Sequence, residues 1–166
     1  MSLDLRSRRG LPMAVAAVAI GAVLALATVV TATIRDHGPT PQQEVASEGL
    51  RISVPAGWPR NATKCGTPMR DTYIVDVDVI AGCAVLTRPR VDYAEIKHAN
   101  LDLDPVAQLA TEAGEAFGHP VLRGGDVLPD GRTRQVVVVP DQQIVLVAVS
   151  SNPALAEAIT HSLRVD

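Results

Sequence analysis

From Leu11 to Ile34 the chain holds no charged side chain, only aliphatic, Ala, Gly, Met and Pro residues broken by Thr28, Thr31 and Thr33. A helix over that stretch rises roughly 36 Å, enough to cross a ~30 Å hydrocarbon core while satisfying its own backbone hydrogen bonds. The pattern predicts an uncleaved transmembrane helix at 11–34, behind a short tail at 1–10. A signal peptide is the competing reading: Ala25-Leu26-Ala27 offers a small-x-small site, but Thr28-Val29-Val30 continues the apolar run past it. Ser7-Arg8-Arg9-Gly10-Leu11 also has the outline of a twin-arginine export signal. A buried soluble helix would carry a polar stripe, which this run lacks. Arg6, Arg8 and Arg9 precede the run, whereas Arg35 is followed at once by Asp36. The positive-inside rule therefore places the N-terminus in the cytoplasm and the rest of the chain outside the cell membrane.

Residues 35–48, with Gly38, Pro39, Pro41, Gln42 and Gln43, read as a flexible tether, and 49–166 as one extracytoplasmic domain. Leu50-Arg51-Ile52-Ser53-Val54 alternates apolar and polar, as a half-buried strand does, and stops at Pro55-Ala56-Gly57. Thr72 to Ile80 alternates again, with Cys83 to Thr87 as its expected hairpin partner across Ala81-Gly82. Residues 104–117 predict a helix: Asp104 as N-cap, Pro105 in the first turn, an apolar face of Val106, Leu109, Ala110, Ala113 and Phe117, and Gly118 as the stop. Val127-Leu128, the Asp130-Gly131 turn, Val136 to Val139, Pro140-Asp141 and Ile144 to Val149 predict a meander. A second helix follows, capped by Asn152, with Leu155, Ile159 and Leu163 on one face. This order predicts an α+β domain, a small antiparallel sheet packed with two helices behind one transmembrane helix.

The stretch Leu50-Arg51-Ile52-Ser53-Val54-Pro55-Ala56-Gly57-Trp58 resembles the strand, Pro, Gly-Trp entry of many small secreted bacterial proteins. With Asn61, Cys65-Gly66-Thr67-Pro68, Asp71-Thr72 and Cys83, it is similar to uncharacterised membrane-anchored extracytoplasmic proteins of high-GC Gram-positive bacteria. Together with the closing Ser162-Leu163-Arg164, it also resembles the Mog1/PsbP-like α/β sandwich. That resemblance implies a binding or assembly role on a non-catalytic fold, and transfers no functional residue.

From Asp36 onward there are 17 acidic and 11 basic residues, a net charge of −6, which leaves no electrostatic footprint for nucleic acid. The aromatics are Trp58, Tyr73, Tyr93 and Phe117, too few for a base-stacking platform or an aromatic sugar cleft. Cys65 and Cys83 both fall in the outer domain, where an oxidising compartment favours a structural disulfide. Reactive thiols and a metal site are the alternatives; the spacing exceeds a Cys-x-x-Cys motif and no His lies close by.

Candidate chemistry is sparse. Asp76 and Asp78 share a strand face that a cation would bridge, yet such a pair is ordinarily a solvated face. Asp102 and Asp104 pair similarly, with Asp104 used as a cap. His37 lies in the tether, His98 after a strand, His119 past a helix and His161 on a helix turn, without metal-ligand spacing. Serine has no Gly-x-Ser-x-Gly elbow, Gly124-Gly125 lacks a phosphate-loop lysine, and Asn61-Ala62-Thr63 matches a glycosylation acceptor by chance in a bacterial chain. Trp58 is expected over the disulfide or at the sheet edge, with contact to a partner as the second reading. No catalytic, cofactor or metal residue is assigned. The leading expectation is a non-enzymatic anchored domain, with the bilayer at 11–34 and a membrane or envelope protein as partners. A thiol–disulfide redox factor using Cys65 and Cys83 is the alternative. A sensor subunit is the third, and its short tail would need a membrane partner.

Overall fold

The computed structural model describes residues 41–77 and 89–166. The chain divides after Pro39, and the fold described is that of the second unit, Thr40–Asp166. The apolar segment 11–34 lies outside the described residues, as do Ala81-Gly82 and the expected partner strand Cys83 to Thr87; of the expected strand Thr72 to Ile80, the part Thr72–Val75 is described and is a strand. Among the described residues no helix is long and apolar enough to cross a membrane.

Gln42–Ser47 (β1) and Leu50–Pro55 (β2) form a hairpin about Glu48-Gly49, both at positive φ (54° and 76°), as a two-residue turn requires. The residues expected to end the tether thus belong to the domain. Their alternation is muted because only Val45 and Ser47 turn inward, and the rest of β1 is Gln, Glu and Ala. In β2, Leu50, Ile52 and Val54 are buried, as its period of two requires. Arg164–Val165 (β11) pairs antiparallel with β2 and completes a three-stranded sheet in the order β1-β2-β11.

A six-stranded sheet supplies the rest. Its strands are Thr72–Val75 (β5), Tyr93–His98 (β6), Ala110–Ala116 (β7), His119–Val127 (β8), Thr133–Val139 (β9) and Ile144–Ser150 (β10). Their order is β5-β6-β10-β9-β8-β7, antiparallel except for β5 beside β6. Thr63–Lys64 (β3) and Thr67–Pro68 (β4) make a small separate hairpin.

Two cores lie on opposite faces of the large sheet. On one face Ile96, Val121, Val137, Val139, Leu146 and Ala148 pack against Leu50, Ile52 and Val54 of β2 and against Ala156, Ile159 and Leu163. Ala156 and Ile159 sit on the helix Pro153–His161 (α1), whose N-cap Asn152 accepts a hydrogen bond from the Ala154 N–H (3.1 Å), as its sequence predicts. On the other face Val136, Val138, Val145, Val147 and Val149 pack against Ala107 and Ala110, with Val106, Leu109 and Leu101 half-buried beside them.

The expected α+β class with two helices, and the Mog1/PsbP-like sandwich with it, is corrected: the domain is mostly β, with α1 its one short helix among the described residues. The error lies in residues 104–117. Asp104 does cap, its Oδ1 accepting from the Val106 and Ala107 N–H groups at 2.8 and 3.2 Å. It caps a single 3-10 turn, Ala107–Leu109, before the chain becomes β7. Thr111 and Gly114 are poor interior helix residues, and pairing with β8 takes up the backbone groups on the inner side of Ala110–Ala116 instead. Gly118 ends no helix; Phe117 and Gly118, at φ 51° and 83°, turn the β7–β8 hairpin.

That turn of 3-10 helix needs Gly124. A Cβ there would sit 1.9 Å from the Leu109 carbonyl oxygen, whereas one at Gly114 would meet only side-chain atoms from 3.7 Å outward. Gly124→Ala is therefore expected to cost about 2 kcal/mol or more. Gly114→Ala should stay within about 0.5 kcal/mol of the parent in urea denaturation.

Candidate functional site

The second face of the large sheet carries a cleft of about 210 Å³, bordered by Ile74, Tyr93, Lys97, Arg132, Arg134 and the turn of the β3–β4 hairpin. Strand alternation puts these side chains there: Tyr93 and Lys97 of β6 lie across from Val149 and Val145 of β10, which in turn oppose Arg134 and Val138 of β9. Its cations are held by carboxylates. Arg134 grips Asp126 through Nε and Nη2 at 2.7 and 2.6 Å, a fork that fits a carboxylate plane. Buried Arg132 donates from Nε (2.9 Å) and Nη2 (2.8 Å) to Asp130, and from Nη1 to the Val91 carbonyl. Lys97 Nζ lies 2.7 Å from Asp104 Oδ2. Lys97–Asp104 ties the loop after β6 to the sheet, Arg134–Asp126 joins β9 to β8, and Arg132–Asp130 closes the turn between those strands and reaches the Val91 carbonyl, so each of these cations has a structural task.

Partial burial pushes the Asp104 carboxyl up, but the hydrogen bond from Lys97, those from the Val106 and Ala107 N–H groups and the Lys97 charge outweigh it and hold the group below its ordinary value of 3.8. Asp130 is also held low, by the Arg132 backbone N–H and then by its guanidinium.

The residues singled out from sequence do not converge. Cys65 stands exposed at the turn of the β3–β4 hairpin, at φ 50°, and is not a free thiol. Cys83, its expected partner, lies outside the described residues, as do Asp78 and His37. Trp58 is 8% exposed and belongs to the main core, with Gly57, Pro59, Met69 and Arg70 around the shallow depression at its edge. Asp76 sits at φ 54°, accepting from Ser47 Oγ (2.5 Å) and Arg60 Nη2 (2.6 Å), so it joins β1 to the end of β5. Asp102 is exposed and its carbonyl accepts from Gln108. Asn61 spends its side-chain amide on the backbone of Val75, as donor at 2.8 Å and acceptor at 2.9 Å. His98 ends β6 with Nε2 2.9 Å from Glu48; His119 begins β8 with Nδ1 3.6 Å from Asp141; His161 is exposed on the last turn of α1. Among the described residues no three His, Cys, Asp or Glu side chains gather as a metal site.

A different feature stands out, one hidden by reading 104–117 as a helix. β7 closes the order of the large sheet, and its five central residues, Thr111 to Glu115, are all exposed. Among the described residues no strand pairs with its outer side. An edge strand turns alternate N–H and C=O groups outward, ready to pair. At its end Phe117 is 67% exposed in a left-handed conformation that an aromatic residue rarely adopts. Arg164 Cζ lies 5.4 Å from the ring centroid, a cation–π distance. The turn chemistry of Phe117-Gly118 was the one sequence signal for this arrangement.

Comparison with family models, with curated proteins and with solved structures found no match.

The depressed Asp104 carboxyl generates a pH prediction. It ionises at lower pH in the folded chain than in the unfolded one, so its stabilisation is complete above the unfolded value of 3.8 and vanishes as pH falls through the folded value. Asp104→Asn should flatten that acid limb in Tm measured from pH 6 to pH 2, most visibly below about pH 4. An unchanged limb would show that other carboxylates carry it.

Proposed function

We propose that the chain is a non-enzymatic binding domain, held at the outer face of the cell membrane by residues 11–34 and engaging a protein partner or envelope component. The observation that carries this reading is the exposed β7 edge with Phe117 at its end. Exposed large apolar groups beside unpaired backbone are typical of surfaces that meet another protein. The arginines of the cleft point the same way, since their carboxylate partners give them a framework role. The apolar run and the flanking arginines support the anchor.

A disulfide between Cys65 and Cys83 fits an oxidising compartment, and closing a loop of about 19 residues would contribute on the order of 3 kcal/mol. The redox alternative requires a low-pKa, accessible thiol. Alkylation of the native, unreduced protein should leave both cysteines unmodified, and reduction should expose both. Replacing the pair by serine should lower stability by about 3 kcal/mol in urea denaturation.

Crosslinking of the full chain in its own membranes, followed by mass spectrometry, tests the binding role. Crosslinks to an envelope or membrane protein through residues of 40–166 are expected. Crosslinks to lipid alone, or turnover of a substrate abolished by one side-chain substitution, would contradict the reading.

A further inference from the structure

Resting on that binding reading, we propose that β7 accepts an extended, Lys/Arg-bearing segment of the partner protein as a seventh strand of the large sheet. The edge is long enough: Ala110–Ala116 has the length of an ordinary strand, so an added chain gains a full ladder of main-chain hydrogen bonds. It is also accessible. Ala113 and Gly114 at its centre present almost no side chain, so an incoming backbone can come close on either face.

Charge selects the occupant. Glu112 and Glu115 flank that centre, and Glu157 of α1 borders with Glu112 a depression beside the edge on the helix side. Arg123 shares the depression, but its Nη1 donates to the Thr160 carbonyl at 3.3 Å. The net charge of −6 over 36–166 has the same sign as this edge. A second copy of the chain fits poorly. It would bring the same two glutamates and the same negative net charge to the edge. Glu112 and Glu115 lie on opposite faces of the sheet, so lysine or arginine on both faces of a foreign strand would meet both carboxylates. Phe117 offers such a cation a further contact, and its stacking with Arg164 shows that the ring takes a guanidinium.

The test uses the full chain in phosphatidylcholine nanodiscs, with a fluorescent peptide of repeated Lys-Lys-Thr-Thr, which shows Lys on both faces of a strand, as probe and its Glu-for-Lys counterpart as control. Binding of the Lys peptide is read by anisotropy, and amide hydrogen exchange of residues 110–117 locates it. The expected result is binding of the Lys peptide alone, with exchange slowed at 111–115. Glu112→Lys with Glu115→Lys should weaken binding by about tenfold or more. The corresponding Gln pair should weaken it less and keep the parent Tm, which separates lost binding from any loss of stability in the Lys variant, where the lysine in place of Glu112 would face Arg123 of β8. Absent binding, equal binding of the Glu peptide, or protection elsewhere on the domain overturns the inference. Concentration-dependent protection of 111–115 without peptide also overturns it, in favour of self-pairing. A partner crosslinked away from β7 would sink this inference alone, whereas the lack of any crosslinked partner removes the binding reading itself.

Discussion

The fold depends on β10 being buried on both faces. All seven of its residues are buried, with Ile144, Leu146 and Ala148 in the main core and Val145, Val147 and Val149 in the second. Each such aliphatic side chain withdrawn from water contributes roughly 1.5–3 kcal/mol, so no other strand among the described residues concentrates as much stabilisation. A strand buried on both faces also needs every backbone group paired, and β6 and β9 provide this in an unbroken register on either side. Its end is pinned by Asp92, which accepts from Ser150 Oγ (2.7 Å) and the Ser151 N–H (2.8 Å) just before α1 begins.

Once β10 is fixed, the remaining elements follow as cover for its two faces. α1 and the β1-β2-β11 sheet close one side, and the turn at Ala107–Leu109 with its neighbouring loop closes the other. The ion pairs of the cleft belong to this second closure, because Lys97–Asp104 fastens a loop to the sheet and Arg132–Asp130 closes the β8–β9 turn. Cover runs out toward β7, whose middle faces solvent. An edge of Thr, Glu, Ala and Gly in a sheet whose central strands β9 and β10 are rich in valine is a change of composition within one sheet. It places the stable part of the molecule at β10 and the part available for pairing at its margin.

How much of this was legible followed from the range of the interactions involved. Val136 to Val139, Ile144 to Val149 and Leu50 to Val54 declare themselves by composition and alternation, and the helix after Asn152 by its cap, Pro153 and four-residue spacing. Residues 104–117 carried equally good local marks, and the cap was real. What decided their structure was non-local: register with β8 and the approach of the Leu109 carbonyl to Gly124. β1 was unreadable for another reason. Gln, Glu, Ala and Ser make a strand only because β2 lies beside them. The edge and Phe117, which carry the functional reading, were therefore hidden behind a helix that the segment does not form. Trp58, expected over the disulfide or at the sheet edge with partner contact as the second reading, lies largely enclosed in the main core.

Native-state hydrogen exchange on the full chain tests the central role of β10 most directly. The account predicts that the amides of Ile144 to Val149 exchange only through global unfolding, with the same free energy and denaturant dependence as the equilibrium transition. It also predicts that amides on the outer side of β7 exchange orders of magnitude faster, in an alternating pattern along 111–115. If the amides of β10 open at lower free energy than the rest of the sheet, or 104–117 is protected continuously as a helix would be, the account is wrong.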